Sequence, residues 1–431
     1  MTSRAQEHEG PVTHLPGLIQ ATVPGRVSRL GIAVSGGGDS LALLLAAVDW
    51  ARERGAELRA VTVDHALRPE SRHEAEQVAR ICAGLDVAHD LLTWNHGAIR
   101  GNLQQAAREA RYALIAGWAR ANGVQAVALG HTATDQAETL LMGLSRAAGI
   151  DGLSGMRPAW EEAGVLWLRP FLTVTRQDLR AFLRQRGQDW VDDPSNEDAR
   201  FARVRARQIL NALQPLGISE ASLARVAENL ARAREVVVRT TARAAADILT
   251  ERAGALFFHR RALIELPSEV TRRILSSALM WLSGASYPPR AAEIERLTVA
   301  IADGGAATLA GCRVAPMAPN DIGDMLVARE LRVLSGQVQA LEPGWEGAWD
   351  RRWRLKAPDG ADVSGLRVRA VGPEGLRQCP EWRDTGLPRA ALIVTPAVWR
   401  KEHLVAAPVA GRPAGWTAEI VAPFAARPLS H

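Results

Sequence analysis

Cysteine is scarce in this chain: Cys82, Cys312 and Cys379 are the only three in 431 residues, and each stands alone. Their isolation excludes a disulfide framework and any Cys-x-x-Cys metal or redox pair, and it fits a reducing compartment. Long apolar runs are lacking too. The richest stretch, Leu41 to Ala51, falls well short of the roughly 20 apolar residues that a bilayer-spanning helix needs. Glu7 and Glu9 stand where a secretory signal would carry its apolar segment, so a cytoplasmic protein with no membrane association is expected. Lysine is almost absent, because Lys356 and Lys401 are the only two among 52 basic residues, and the net charge of +5 rests on arginine. Guanidinium groups pair bidentately with phosphates, so this bias suits a nucleic-acid partner as well as a genomic preference for arginine.

What is present is enough for more than one hydrophobic core, since 431 residues exceed the size at which a single core stops growing. A hydrophobic share of 47% with 23% charged residues excludes a disordered or fibrous chain. Residues 1–15 show no sustained period and read as a flexible tail. From Arg29 onward strand-like and helix-like segments alternate: strand Leu30–Val34, a helix to about Arg54, strand Leu58–Val63, helix Ser71–Gly84, strand His89–Thr93, helix Asn102–Asn122 and strand Ala126–Leu129. That alternation predicts an α/β domain, a doubly wound parallel sheet over residues 16–195 with its ligand crevice at the carboxyl ends of the strands. The turn-rich Asp192-Asp193-Pro194-Ser195-Asn196 closes it. Alanine-, leucine- and arginine-rich segments of helical period then run to about Asp303 and predict a helical domain over 196–330. Beyond Leu331, short apolar runs such as Leu366–Val371 and Ala391–Val394 alternate with Gly and Pro clusters, predicting a small α+β domain over 331–431. No internal repeat or low-complexity tract is seen.

The strongest local signal is Ser35-Gly36-Gly37-Gly38-Asp39-Ser40, placed between a buried strand and a helix. Three glycines let the backbone turn tightly and approach an anion, while free amides at the helix start and the serine hydroxyls can bond phosphate oxygens. The loop lacks the Gly-Lys-Ser/Thr ending of a Walker loop, so γ-phosphoryl transfer is not its natural chemistry. It resembles the pyrophosphate-binding loop of the N-type ATP pyrophosphatases, which implies ATP cleaved between its α and β phosphates and an adenylate intermediate. Within that superfamily, Asp64-His65-Ala66-Leu67-Arg68-Pro69-Glu70-Ser71 is similar to a signature of the lysidine synthetases; the same residues also read as a helix cap in which Ser71 caps and Glu74 completes the box. Arg108 and Arg111, three apart beside Tyr112, share one helix face and resemble the family's Arg-x-x-Arg-Tyr element; spacing alone allows a solvated basic face.

The segment that singles out the family is Gly130-His131-Thr132-Ala133-Thr134-Asp135-Gln136-Ala137-Glu138-Thr139. It resembles the His-His-x-Asp-Asp-Gln-x-Glu-Thr motif, with Thr132 and Thr134 in place of its second His and first Asp. The resemblance continues through Gly149–Met156, Leu168-Arg169-Pro170-Phe171-Leu172, Thr175-Arg176, Asp193–Asn196 and Arg203-x-Arg205, and so covers 29 to about 207; Thr308–Val314 and Trp349–Trp353 resemble the family's later domains weakly. It implies a ligase that spends ATP to join free L-lysine to the wobble cytidine of an isoleucine tRNA with a CAU anticodon. It further implies that Ser35 to Ser40 hold the phosphates, that Asp39 and Asp135 hold Mg²⁺, and that Asp135 or His131 handles the proton of the attacking amine. His131 as a hydrogen-bonded structural residue and Asp135 as a helix cap are the plainer alternatives. Arg200, Arg203, Arg205 and Arg207, with no acidic residue among them, are expected along with Arg108 and Arg111 to contact tRNA phosphates. A homodimer is compatible with all of this. Other readings are a tRNA thiolase of the same superfamily, which the three isolated cysteines disfavour, and a noncatalytic tRNA- or nucleotide-binding module, which the retained Asp39, Asp135 and Glu138 disfavour.

Overall fold

A computed structural model describes residues 14–65, 70–96, 103–191, 202–342, 345 and 348–426. Two compact units, Met1–Arg234 and Glu235–His431, partition the chain, and the composition changes near 195 and 330 fall inside them.

In the first unit the elements run α1 (Leu15–Thr22), β1 (Arg29–Ala33), α2 (Gly38–Arg54), β2 (Glu57–Asp64), α3 (Glu70–Gly84), β3 (Ala88–Thr93), α4 (Leu103–Ala121), β4 (Ala126–Leu129), α5 (Ala133–Leu144), α6 (Ile150–Leu153), β5 (Ala159–Glu162), β6 (Val165–Leu168), α7 (Arg176–Gln185), α8 (Ala202–Leu213) and the start of α9 (Glu220–Ile248). The strands form one six-stranded sheet in the order β3-β2-β1-β4-β6-β5, parallel except for β5, which returns antiparallel on β6. Strand order reverses between β1 and β4, so the loops leaving those two strands diverge and open a crevice at their carboxyl ends.

Helix α2 packs behind the crevice. Leu41, Leu43 and Leu44 are at most 1% exposed, as are Ala42, Ala46 and Ala47, so this helix is apolar on nearly every side and lies between the sheet, α1 and α7. Burying each leucine contributes about 1.5–3 kcal/mol. Gly55, left-handed at φ 69°, ends the helix by returning its N–H to the carbonyl of Ala51. Helix α5 starts with a reciprocal cap between Thr132 and Asp135, and α7 with one between Thr175 and Asp178.

The second unit departs from the expected helical reading. Strands β7 (Thr250–Arg252) and β8 (Ala255–Phe258) form a hairpin inside the stretch read as helical; Ala253 and Gly254 turn it with φ of 52° and 66°, a two-residue turn with both φ positive. After α10 (Arg260–Ile264), α11 (Ser268–Ser283) and α12 (Ala291–Ala302), strands β9 (Ala307–Leu309), β10 (Cys312–Asn320) and β11 (Gly323–Arg329) complete an antiparallel sheet in the order β7-β8-β11-β10-β9. The hairpin strands are only three and four residues long, too short to show a period of their own beside long helices. Farther on, β12 (Gln339–Ala340), β13 (Ala348–Trp349), β14 (Trp353–Lys356), β15 (Arg367–Ala370), β16 (Pro396–Arg400), β17 (His403–Ala406) and β18 (Thr417–Ile420) make two small antiparallel sheets. The run Leu366–Val371 carries β15, as its pattern suggests, whereas Ala391–Val394 spans the end of a short helix, Arg389–Leu392, and the turn after it, with the strand following. Between Trp349 and Trp353, the side chain of Asp350 is buried with Arg329 and Arg352, both of which donate to its carboxylate at 3.2–3.3 Å. Desolvation offsets much of the attraction within such a buried ionic cluster, so its net contribution to stability is small.

Candidate functional site

The loop Ser35–Ser40 joins β1 to α2. Gly36 sits at φ 87°, a region that a side chain strongly disfavours, and Gly37 at the N-cap of α2 has no side chain to cap it, leaving the first amides of α2 without side-chain partners among the described residues. Ser40, 7% exposed, shapes the loop from within: its hydroxyl donates to the carbonyl of Gly37 at 2.9 Å and accepts from the amide of Ser35 at 3.1 Å. Of the two serines it is therefore the exposed Ser35 that can reach outward to an anion. The end of β4 abuts this loop so closely that a Cβ on Gly130 would lie 3.0 Å from Asp39 O, Ser40 N and Ser40 Cα.

Asp39, in the first turn of α2, and Asp135, in the first turn of α5, converge on one guanidinium. Arg176 Nε donates to Asp39 Oδ2 at 2.9 Å, and Arg176 Nη2 lies 3.7 Å from Asp135 Oδ1. Burial pushes the Asp39 carboxyl above its usual range, and Arg176 only partly reverses this. Burial also opposes ionisation of Asp135, but the guanidinium of Arg176 and two hydrogen bonds from Thr132 hold this group low. Asp135 is a helix cap, Oδ2 closing the start of α5 through Thr132, while its Oδ1 faces Arg176. Thr132, where the resembling motif has a histidine, is the N-cap of α5.

His131 is neutral. Arg169 Nε, which can only donate, gives its proton to His131 Nδ1 at 3.1 Å, so the ring carries its own proton on Nε2. Burial, followed by the charge of Arg169, lowers its pKa to about 3. A ring held in that state is a poor proton acceptor, which weakens the role in acid–base chemistry expected of it. Arg169 is itself fixed by the carbonyl of Arg157 at 2.8 Å and by the ring of Trp160, 3.9 Å below its guanidinium carbon. On α4 the two predicted arginines separate. Arg108 is exposed and lies over Tyr112, while half-buried Arg111 turns its charge toward His65 and His131.

Glu138, one turn beyond Thr134 on α5, has no exposed surface. Its Oε1 accepts from Arg207 Nε at 2.5 Å, Arg203 Nε stands 4.0 Å from its Oε2, and that second oxygen has no hydrogen-bond partner among the described residues. Burial raises its pKa despite Arg207. The arginines of α8 therefore divide by face: Arg203 and Arg207, four apart, turn toward α5, while Arg205 lies on the exposed side. Ser71 lies in the first turn of α3, and its hydroxyl donates to Asp64 Oδ1 at 2.7 Å, which ties β2 to α3. Residues 66–69 of that signature, Asp193–Asn196 and Arg200 lie outside the described residues. All three cysteines are buried, and burial pushes Cys82 and Cys312 up to about 11, so neither supplies a thiolate at neutral pH.

Sequence reading assigned no role to Arg176, Arg169 or Glu220. Arg176 had a signal, an arginine opening an amphipathic helix just after a threonine cap. Its partners lie 137 and 41 residues away, beyond the reach of any periodicity.

A glycine loop at the switch point of a parallel sheet, with two carboxylates facing it from the next turns, defines a nucleotide-binding domain of the PP-loop class, and residues 16–213 match the family model described as PP-loop domain. Among curated proteins the chain is 44% identical to the tRNA(Ile)-lysidine synthase of Ruegeria pomeroyi, covering 97% of this chain and 98% of that one. It is 41% identical to the enzyme of the same name from Hyphomonas neptunium, over 66% of this chain and 78% of that one, and 35% identical to that of Rhizobium meliloti, over 78% and 76%. The chain belongs to the tRNA(Ile)-lysidine synthase family.

Proposed function

We propose that the protein ligates L-lysine to C2 of the wobble cytidine in tRNA(Ile) bearing a CAU anticodon, with ATP giving AMP and pyrophosphate. The product would read AUA instead of AUG and accept isoleucine instead of methionine. Beyond family membership, one observation carries the proposal: Asp39, Asp135 and Arg176 meet beside the open end of the phosphate loop.

Cytosine resists amination at C2 because its oxygen leaves poorly. In the proposed sequence that oxygen attacks the α-phosphorus of ATP, pyrophosphate departs, and the ε-amine of lysine then displaces AMP from C2. The loop amides and Ser35 bind the phosphates. Asp39 and Asp135 provide hard oxygen donors of the kind and number that Mg²⁺ takes from protein when phosphates supply the rest. A bound Mg²⁺ would neutralise phosphate charge. Arg176, balanced between the two carboxylates, can exchange part of that pairing for a phosphate oxygen. The amine proton would pass through Asp135 Oδ1, the oxygen directed away from its cap, on its way to solvent, since His131 Nδ1 is engaged by Arg169. Exposed Arg108, Arg203 and Arg205 would contact tRNA phosphates, with Arg111 closer to His131. Within this reading residues 16–195 carry catalysis, 196–330 hold tRNA and 331–431 form the C-terminal domain. Such a reaction takes place in the cytoplasm, and no helix among the described residues is long and apolar enough to cross a membrane.

The test supplies the protein with ATP, Mg²⁺, radiolabelled lysine and tRNA(Ile) transcript with CAU, beside tRNA(Met) with the same anticodon. Label entering only tRNA(Ile), and lost in Asp135→Ala, is expected. No label with ATP bound to folded protein would overturn the proposal.

A further inference from the structure

The geometry points to Glu220 as a positioning residue of the catalytic centre, acting through Thr134 and Arg176. This inference rests on the proposed adenylating site and adds a residue from outside the phosphate loop and its neighbours.

Thr134 is 3% exposed and sits where the resembling motif has a carboxylate. Its hydroxyl accepts from the backbone amide of Arg176 at 3.3 Å and donates to Glu220 Oε2 at 2.5 Å. A hydroxyl has one proton, and the Arg176 N–H occupies a lone pair, so the proton must point at Glu220. Arg176 is the first residue of α7, where an amide has no partner within its helix, and the cap at Thr175 bonds Asp178 instead. Thr134 supplies the missing acceptor. The same residue's guanidinium spans Asp39 and Asp135, so the bond from Thr134 fixes the backbone from which that guanidinium projects.

Glu220 is free for this work. It opens α9, and reciprocal bonds between Ser219 and Ser222 already cap that helix at 2.9 and 3.1 Å. Its carboxylate turns instead to α5. Thr134 and Glu138 are four residues apart on one face of α5, and they are gripped by α9 and α8 through Glu220 and Arg207. Asp135 lies between the two grips. The arrangement ties the arginine-bearing helix α8 and its successor to the turn that presents the catalytic aspartate.

The test compares full-length Glu220→Ala, Glu220→Gln, Thr134→Val, Thr134→Asp and the double variant Thr134→Asp/Glu220→Gln. Two readouts are taken for each: lysine incorporation, and tRNA-dependent pyrophosphate release from ATP. A shift of the guanidinium by a fraction of an ångström predicts a fall in kcat of about tenfold for Glu220→Ala and Thr134→Val, with KM for ATP changed by less than about twofold. Glu220→Gln keeps an acceptor oxygen and should stay within about threefold of the parent. Thr134→Asp sets two carboxylates against each other and should lose activity, which Glu220→Gln, now donating an amide proton, should largely restore. Thermal melting shows whether each variant folds. Glu220→Ala and Thr134→Val with unchanged kcat, or a double variant no better than Thr134→Asp alone, overturns the inference. Should the parent release pyrophosphate but incorporate no lysine, the ligase proposal fails, and the release assay still decides the role of Glu220.

Discussion

Replacing Arg176 by alanine gives the sharpest test of the site's electrostatics. The guanidinium is 25% exposed and its partners Asp39 and Asp135 are 20% and 9% exposed, so all three charges are substantially withdrawn from water. Two unit charges about 4 Å apart attract by about 4 kcal/mol at an effective dielectric near 20. Partial exposure and the recovered hydration of the lost arginine offset roughly half of this, and the longer contact to Asp135 adds less than the first. A net destabilisation of about 2–3 kcal/mol at neutral pH follows, close to the lower end for breaking a buried pair. Its pH dependence is the diagnostic part. In the native protein the Asp39 pKa lies above its ordinary value, so its contribution to stability declines as pH rises through that window. Asp135 lies below, so its contribution is present at neutral pH and is lost as pH falls through its lowered pKa. Without Arg176 both carboxyls rise, and both are protonated more readily in the folded variant than in the folded parent. The variant's deficit should therefore be full near about pH 7.5 and shrink toward about pH 5. Urea denaturation of variant and parent at the two pH values measures it. A deficit that stays constant with pH, or one below about 0.5 kcal/mol at neutral pH, would refute the reasoning.

Other outcomes follow from the same geometry. Gly130→Ala pushes a methyl group against the backbone of Asp39 and Ser40 and should cost about 1–3 kcal/mol; raised KM for ATP, read from initial rates, would show that the displaced element is the phosphate loop. Glu138→Gln removes the buried carboxylate that pairs with Arg207 at 2.5 Å and should destabilise by about 2 kcal/mol in urea melts, a figure reduced for the partial exposure of that arginine. His131→Asn keeps an acceptor for Arg169 and should retain more activity than His131→Ala; because the native pKa is about 3, the rate profile between about pH 5 and 9 should show no inflection from this ring. Equal loss in both variants would mean that the Nε2 proton is itself required.

Much of the site was legible because the relevant information is local. Three glycines between a strand and a helix, and a threonine three residues before an aspartate, dictate a tight turn and a capped helix start wherever they occur. Strand and helix periods in the first 130 residues marked the sheet and its order of elements, with boundaries shifted by a residue or so. The short hairpin at Thr250–Phe258 was missed because three- and four-residue strands carry too little pattern to compete with the long helices on either side.

By itself the sequence determined the phosphate loop, the alternation that builds a parallel sheet, and the candidate carboxylates at the strand ends. Each depends on backbone preference and side-chain period over a few residues. Only the tertiary structure decided how those groups are charged and aimed. It placed Arg176 between Asp39 and Asp135, made His131 a neutral acceptor for Arg169, and turned Glu220 onto Thr134 from 86 residues away. Hydration and electrostatic pairing depend on what surrounds a side chain in space, and no local pattern records neighbours that folding alone brings together.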